Sequence, residues 1–386
     1  MNLGRKRRHP RTTGPAFSST RQGRFTLHLL RILTSAVFIF SGIVKAVDPL
    51  GTVYKIEDYL QAFGVDWIQV SVVAYPAAFL LIALELMIGI QLLFMVRFRL
   101  STLLAFLFMV VMTPLTLYIA LYNPVTDCGC FGDAITISNW QTFAKNMVLL
   151  AITLVLLLSR AKFKTFFVPR VENVIALVFL VIAGAFMAYN LMHLPMLDFR
   201  PYKKGVDIKA AMKIPEGAPI DEYTYSFTYR KDGRQKRFGL NDLPDSTWTF
   251  VEQHSELIRK GYEPEIKSFT ILDANFQDIG GDILDFNGTS YLVLMYDLTR
   301  TSDRGIARIN DLYASRADSR GRFFGITASS SEVVAEFKKQ HKLTFPIYSA
   351  DPVFLKTIIR ANPGVVVITN GTIVDKRNWR DIDNLK

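Results

Sequence analysis

The chain has 386 residues, half of them hydrophobic, and a formal net charge of +11. This length allows two or three domains, and the hydrophobic residues are crowded before residue 195, which excludes one large soluble core and favours membrane spans. The positive charge would suit a nucleic-acid-binding protein, but much of it stands in front of the first apolar run, as in the cytoplasmic flank of a first transmembrane helix. We therefore predict a protein that contacts the lipid bilayer and binds no nucleic acid.

Residues 1–24 are predicted to be a disordered, basic leader on the cytoplasmic side, because they are rich in Ser and Thr and show no apolar period. The cationic residues of this leader are Arg5, Lys6, Arg7, Arg8, Arg11, Arg21 and Arg24. A cationic patch for acidic lipid or RNA is the alternative. A cleaved signal peptide is not expected, since the apolar run is long and no small-x-small site follows it.

Residues 25–195 are predicted to form a transmembrane domain with about five spans, at residues 26–46, 71–96, 100–121, 141–159 and 172–193. The polar loop at 47–70 suits a short helix along the membrane surface, and Tyr54, Tyr59 and Trp67 suit an interfacial belt. Lys and Arg are frequent at 97–99 and 160–170 but scarce at 47–70 and 122–140. This asymmetry places the N-terminus in the cytoplasm and everything after residue 195 outside. In a bacterium with two membranes, the chain would be a multi-pass inner-membrane protein with a periplasmic C-terminal domain.

The rest of the chain is predicted to be soluble. Residues 196–265 form a linking α+β segment, with a β-hairpin at 223–234 that turns at Asp232-Gly233, followed by a helix containing Trp248 and Phe250. Residues 266–380 form an α/β domain, with strands at 290–296, 322–326, 345–348 and 365–368 and helices at 304–316, 330–340 and 351–360. Asn370-Gly371 predicts a hairpin turn into a last strand at 372–374, and a polar tail begins at 376.

The only two cysteines, Cys128 and Cys130, lie in a short glycine-rich loop between the third and fourth spans. A thiolate can exchange disulfides or hold soft metals. The glycines allow a tight loop in which the two sulfurs can meet, on the side of the membrane where disulfides persist. An exchangeable redox pair, a structural disulfide and two idle small residues all remain possible interpretations. No cluster of His and Cys residues predicts a metal site.

Glu85 lies in the middle of the second span. A carboxylate there costs about 3 kcal/mol unless it is paired or neutral, so it must face the interior of the bundle. It is interpreted either as a proton relay, as a contact for a quinone or substrate, or as a structural partner of Lys45. Lys45 and Asp48, near the outer interface, are typical of interfacial anchors, with partner binding or catalysis as the alternative.

Residues 26–193 resemble the DoxX/MauE group of redox-associated membrane proteins. The resemblance rests on Ser41-Gly42-x-x-Lys45 with Asp48-Pro49, on Glu85-x-x-x-Gly89 and on Cys128-Gly-Cys130-Phe-Gly132. It implies a four-helix bundle of spans one to four, with span five as a tether. The MauE branch implies a role in disulfide formation during maturation of a methylamine dehydrogenase, although nothing in this chain points to methylamine. The bundle also resembles quinone-linked disulfide formers, which makes a membrane quinone the candidate cofactor, but those proteins use additional cysteine pairs that this chain lacks.

Residues 266–376 resemble a thioredoxin-like domain that lacks its C-x-x-C pair. Thr299 and Ser302 stand at the spacing of that pair, but hydroxyls do not exchange disulfides. Pro363 precedes the penultimate strand, where such folds carry a cis-proline that binds extended peptide. An ordinary trans-proline at a strand start is the alternative.

Two functions follow as hypotheses. In the first, the chain is a membrane-anchored thiol–disulfide or electron-relay component: Cys128 and Cys130 act on extracytoplasmic protein thiols or on a redox partner protein, and Glu85 handles a proton. In the second, the chain is a non-catalytic adaptor whose thioredoxin-like domain binds an envelope protein or peptide near Pro363. The sequence leaves open whether the protein is an enzyme. A small-molecule transporter is disfavoured, because the short-looped spans show no internal repeat.

Overall fold

The structure is a computed structural model that describes residues 21–65, 70–125, 128–259, 261–316 and 321–385. It divides into two compact units, Met1–Arg200 and Pro201–Lys386. Most of the predicted leader, together with Asp66 and Trp67, lies outside the described residues. Residues 21–24 were predicted to be disordered, and this is wrong: they are helical. Once a helix has nucleated, each added residue contributes a hydrogen bond, so the first span extends into the polar flank.

The first unit contains five helices that are long and apolar enough to cross a membrane. They are α1 (Arg21–Val47), α3 (Val70–Phe94), α4 (Phe98–Tyr122), α5 (Asn139–Ser159), which a 3₁₀ turn continues to Lys162, and α6 (Pro169–Met192). The five predicted spans are confirmed, with boundaries that differ by a few residues. The chain is therefore a multi-pass membrane protein.

A shorter helix, α2 (Pro49–Ala62), fills most of the predicted polar loop. The backbone N–H of Gly51 donates to Asp48 Oδ1 at 3.0 Å, so Asp48 is the N-cap of this helix. Pro49 suits the first helical position because its missing N–H would have no partner there. The expected short helix in this loop is therefore present.

The helices of the first unit pack in two groups, α1 along α3 and α4 along α5. One buried apolar cluster joins these four helices, and its members include Phe38, Leu92, Phe98, Met109 and Leu149. A second cluster brings α6 onto α1 and α3 through Ala46, Ile82, Leu86, Ala183 and Met187. The fifth span thus packs against the other helices along part of its length, which is more than the resemblance implied for a tether.

The second unit begins with α7 (Ile208–Met212) and an antiparallel sheet of β1 (Glu222–Lys231), β2 (Arg234–Gly239) and β3 (Thr249–Arg259), in the order β2-β1-β3. The hairpin of β1 and β2 is as predicted. The predicted helix with Trp248 and Phe250 is wrong, because Phe250 lies in β3. The ring of Phe250 packs edge-to-face on Tyr229 across the strand pair, and aromatic cross-strand pairs favour a sheet.

A five-stranded sheet forms the rest of this unit. Its strands are β4 (Thr289–Met295), β5 (Arg322–Thr327), β6 (Ile347–Ser349), β7 (Gly364–Thr369) and β8 (Thr372–Asn378), in the order β6-β5-β4-β7-β8. The first three run parallel, and β7 and β8 are antiparallel to their neighbours. The accompanying helices are α8 (Gly280–Asp285), α9 (Asp303–Arg316), α10 (Ser331–His341) and α11 (Pro352–Ile358).

The predicted polar tail is partly wrong, because β8 continues to Asn378 and a 3₁₀ turn follows at Trp379–Asn384. The side chains of Asp375, Lys376 and Asn378 are buried. Lys376 Nζ donates to the carbonyl of Tyr202 at 2.8 Å, so internal partners satisfy a segment that reads as polar surface. The thioredoxin-like character of this α/β part stays a prediction.

A substitution at Gly89 of α3 would test the close packing of α1 on α3. A Cβ at this position would lie 2.8 Å from the backbone nitrogen of Ile39, whereas a Cβ at Gly184 of α6 would meet nothing within 4 Å. We expect Gly89→Ala to lower the thermal unfolding midpoint of the detergent-solubilised protein, since overpacking costs about 1–3 kcal/mol. Gly184→Ala should be neutral or stabilising. Equal midpoints for the two variants would contradict this packing.

Candidate functional site

A buried ion pair joins α1 to α3. Lys45 Nζ lies 2.7 Å and 2.8 Å from the two carboxylate oxygens of Glu85, and the two side chains are only 5% and 4% exposed. The carboxylate faces the interior of the bundle, as expected for an ionisable group within a span. Of the interpretations of Glu85, its pairing with Lys45 is the arrangement observed.

Ser41 connects this ion pair to the cysteine loop. Lys45 Nζ donates to Ser41 Oγ at 2.9 Å. The hydroxyl itself lies 2.9 Å from Glu85 Oε2 and 2.7 Å from the carbonyl oxygen of Cys130. Because a hydroxyl has one proton to donate, it serves these two acceptors in turn. Through Ser41, hydrogen bonds therefore connect the ion pair to the backbone of the loop.

The loop itself is held by glycine turns and by α2. Gly129 and Gly132 both have positive φ angles, of 64° and 52°, and the N–H of Gly132 donates to the carbonyl of Gly129 at 3.1 Å. A Cβ on Gly129 would lie 3.2 Å from Lys55 Cγ of α2, so glycine suits both the backbone angle and the space. The hydroxyl of Tyr59, also in α2, donates to the carbonyl of Cys128 at 2.8 Å. Each cysteine carbonyl is thus fixed by a different helix.

The two sulfurs lie 3.1 Å apart as free, half-buried thiols. The hydrogen bond from the Cys128 thiol, aided by the charges of Lys145 and Lys45, lowers the pKa of Cys130 to about 6. Burial and the charge of Glu85 act in the opposite direction on this group. The same hydrogen bond, together with burial, raises the pKa of Cys128. The geometry therefore creates one thiolate near neutral pH and one neighbouring thiol that donates to it.

A small cavity adjoins the Cys130 side of the loop. Its volume is about 30 Å³, and it is lined by Ser41, Lys45, Glu85, Cys130, Lys145 and Asn146 together with apolar side chains that include Phe38, Phe108, Met109 and Met112. This is space for about one water molecule beside the ion pair. Among the residues that the structure describes, no group of three or more His, Cys, Asp or Glu could hold a metal ion.

Sequence reasoning missed two residues of this site, Lys145 and Tyr59. Lys145 lies in α5, with its Nζ 4.5 Å from the centroid of the Phe131 ring in the cysteine loop. An ionisable residue within an apolar span is itself a functional signal, so the argument applied to Glu85 would have found Lys145 as well. Tyr59 was assigned to an interfacial belt, and no pattern in the sequence indicates its hydrogen bond to the loop.

The other two predicted site residues, Asp48 and Pro363, make contacts of their own. Asp48 caps α2. Pro363 belongs to the second unit, follows a cis peptide bond from Asn362, and packs against Gly305 at the start of α9. The Asn362 side chain donates to the carbonyl of Asp297 at 2.7 Å, so Pro363 lies beside the segment that lacks the C-x-x-C pair.

The hydroxyls at that segment serve local backbone structure. Thr299 Oγ1 donates to Asp297 Oδ1 at 2.6 Å, and Ser302 Oγ accepts from the N–H of Gly305 at 3.3 Å in the first turn of α9. Both contacts are typical of turn and N-cap positions.

The ion pair predicts a non-additive pattern of stability. Lys45→Met or Glu85→Gln alone should destabilise the protein by about 3–5 kcal/mol, because each leaves a buried polar group without its partner. The double variant should be less destabilised than the sum of the two. A double-mutant cycle on thermal unfolding in detergent measures this coupling. Strict additivity would contradict a direct interaction.

The thiolate predicts a pH profile for alkylation. The rate at Cys130 of the reduced protein, resolved by mass spectrometry, should rise with pH and reach half its maximum near pH 6, because only the thiolate reacts. Lys145→Gln removes a stabilising charge, so this midpoint should move to higher pH by roughly 0.5–1 unit. Arg160→Gln, about 22 Å further along the same helical segment, is the matched control and should leave it unchanged. A midpoint near that of an ordinary thiol would contradict the assignment.

Comparison with known families agrees with the membrane part of this description. The family model for the methylamine utilisation protein MauE matches residues 23–159, about a third of the chain, which include Ser41, Lys45, Glu85 and both cysteines. A domain of unknown function, DUF8463, matches residues 223–260, where the three-stranded sheet lies. No curated protein and no solved structure was found to match the chain. With its five spanning helices the chain is a multi-pass membrane protein, and residues 23–159 of it are similar to MauE.

Proposed function

We propose that the MauE-like membrane domain is a thiol–disulfide relay whose exchangeable pair is Cys128 and Cys130. The observation that carries the proposal is the 3.1 Å separation of two free sulfurs, one of which has its pKa lowered to about 6. A structural disulfide would not require a stabilised thiolate. Two cysteines without a role would not require hydrogen bonds from Ser41 and Tyr59 to their carbonyls.

The chemistry runs in two exchange steps. The Cys130 thiolate attacks one sulfur of a partner disulfide, forms a mixed disulfide and releases a partner thiolate. Cys128 then loses its proton to that thiolate and attacks Cys130 Sγ, which breaks the mixed disulfide, forms the Cys128–Cys130 disulfide and releases the second partner thiolate. Two electrons pass to the partner. A second protein dithiol returns the pair to its reduced state by the same steps in reverse, so the pair connects two protein couples.

Some neighbouring residues act on the thiolate through their charge, and others position the loop. Lys145 and Lys45 stabilise the attacking thiolate. Ser41 and Tyr59 donate hydrogen bonds to the carbonyls of Cys130 and Cys128. These bonds keep the loop backbone in place while the sulfurs exchange partners. We assign Glu85 the role of positioning Lys45 and Ser41 through the contacts described above. The alternative, in which Glu85 carries a proton, remains a prediction.

A membrane quinone is the candidate acceptor from the sequence, but the site as it stands does not fit one. The cavity beside Cys130 has a volume of about 30 Å³, which is far below that of a small-molecule pocket. The relay is therefore proposed between proteins, with no step through a quinone.

The partners are proposed to be extracytoplasmic. The distribution of Lys and Arg supports a location of the cysteine loop and the second unit outside the cytoplasmic membrane, where protein disulfides form. The matching family model carries the description of a methylamine utilisation protein. An enzyme of that process with disulfides to be formed is one class of partner that this description supports.

Single-cysteine variants test the relay. Cys128→Ser removes the resolving thiol, so Cys130 should accumulate a mixed disulfide with its partner in acid-quenched cells, visible as a reductant-sensitive adduct of higher mass. Cys130→Ser leaves only Cys128, whose pKa burial still raises, and should give severalfold less adduct. The double serine variant is the control and should give none. The relay is wrong if neither single variant forms an adduct at normal protein levels.

A non-catalytic adaptor is the second candidate, and one observation favours it. In the α/β part, Asp297–Ser302 and Pro363 are held together through Asn362, where a thioredoxin-like fold would bind extended peptide. The two positions of the expected cysteine pair carry hydroxyls instead, at Thr299 and Ser302. Crosslinked membranes distinguish the two proposals. An adaptor keeps its partner in the double serine variant and loses it when the second unit is removed.

A further inference from the structure

An open cavity lies at the opposite end of the membrane domain from the cysteine loop. It is formed where the α3–α4 turn meets the α5–α6 connection, and its volume is about 550 Å³. Its polar lining consists of Arg97, Arg99, Lys164, Thr165 and Glu172. Because α4 and α6 begin here and α5 ends here, the cavity lies at the depth where the spanning helices leave the hydrocarbon region.

Glu172 is the unusual member of this lining. Its Oε2 accepts the backbone N–H of Arg97 at 3.2 Å, which joins α6 to the α3–α4 turn. Its Oε1 is buried and has no hydrogen-bond partner, and the residue is only 7% exposed. A buried carboxylate oxygen without a donor is costly, so native sites supply one. The position therefore calls for a ligand with N–H or O–H groups, and a cationic donor would compensate the charge best.

The remaining polar lining favours a phosphate. Arg97, Arg99 and Lys164 are exposed and outnumber the single carboxylate, so the cavity carries a net positive charge. Guanidinium groups bind phosphate oxygens through two parallel hydrogen bonds, and a lysine adds a point charge. Basic pockets between transmembrane helices are known sites for lipid head groups.

We propose that this cavity binds the head group of phosphatidylethanolamine. Arg97, Arg99 and Lys164 contact the phosphate, and the primary ammonium donates to Glu172 Oε1. This ligand combines the two features that the cavity requires, an anion and a cationic N–H donor on one small group. Phosphatidylcholine has no N–H on its quaternary ammonium, and the glycerol head group of phosphatidylglycerol offers only uncharged hydroxyls. The assignment does not depend on the cysteine chemistry.

Lipid competition on the full-length protein tests the proposal. The protein is delipidated in mild detergent and titrated with short-chain phosphatidylethanolamine, phosphatidylcholine and phosphatidylglycerol, and bound lipid is counted by native mass spectrometry. Phosphatidylethanolamine should bind about tenfold more tightly than phosphatidylcholine, the value of one charge-assisted hydrogen bond. It should also bind more tightly than phosphatidylglycerol.

Three variants assign this preference to the cavity. Glu172→Gln keeps an oxygen for the Arg97 N–H but loses the charge, so it should abolish the preference for phosphatidylethanolamine while the protein stays folded. Arg99→Gln should weaken the binding of all three lipids. Arg160→Gln removes a cation at the same end of the domain but outside the cavity lining, and should change nothing.

Several results would overturn the proposal. They are equal binding of phosphatidylethanolamine and phosphatidylcholine by the unaltered protein, tighter binding of phosphatidylglycerol, and a preference that survives Glu172→Gln. The last measurement is competition between the lipid and soluble phosphoethanolamine. If it displaces the lipid at similar concentrations, the site recognises a free phosphorylated amine, and the lipid assignment is wrong.

Discussion

The buried pair of Lys45 and Glu85 is the interaction on which the membrane site depends. Either charge alone would be costly at this depth, whereas together they satisfy each other and engage Ser41. Through Ser41 the pair reaches the carbonyl of Cys130, so the packing of α1 on α3 and the position of the cysteine loop are set by the same contacts. The lysine charge also acts on the thiol. One pair of charges thereby contributes both to the structure of the helices and to the electrostatics of the sulfurs.

The two ends of the membrane domain offer different chemistry. At the cysteine end, Lys45 pairs with Glu85, Lys145 lies over the ring of Phe131, and the small cavity has room for about one water. The other end has an open cavity lined by cations and by Glu172, whose buried Oε1 has no donor. An open cavity is accessible to a lipid head group from the bilayer.

How far the sequence predicts the fold depends on the type of pattern. Long apolar runs determine spanning helices locally, and a turn such as Asp232-Gly233 determines a hairpin, so both were predicted correctly. The error at Phe250 has a tertiary cause, since its ring packs on Tyr229 of a strand about twenty residues earlier. The buried polar residues at the end of β8 were taken for a surface tail because their partners, such as Tyr202, are distant in sequence.

For the site, the sequence by itself determined that Cys128, Cys130 and Glu85 were candidates, although Lys145 and Tyr59 were missed. Two cysteines in a glycine-rich loop and a carboxylate within a span are unusual wherever they occur, because thiolates react and buried charges are costly. Only the tertiary structure decided what these residues do to one another. It paired Glu85 with Lys45, brought Lys145 to Cys130 and placed Tyr59 on Cys128, because helices that are far apart in sequence pack side by side. A pKa and a hydrogen bond are properties of such neighbours, and no local pattern in the chain specifies them.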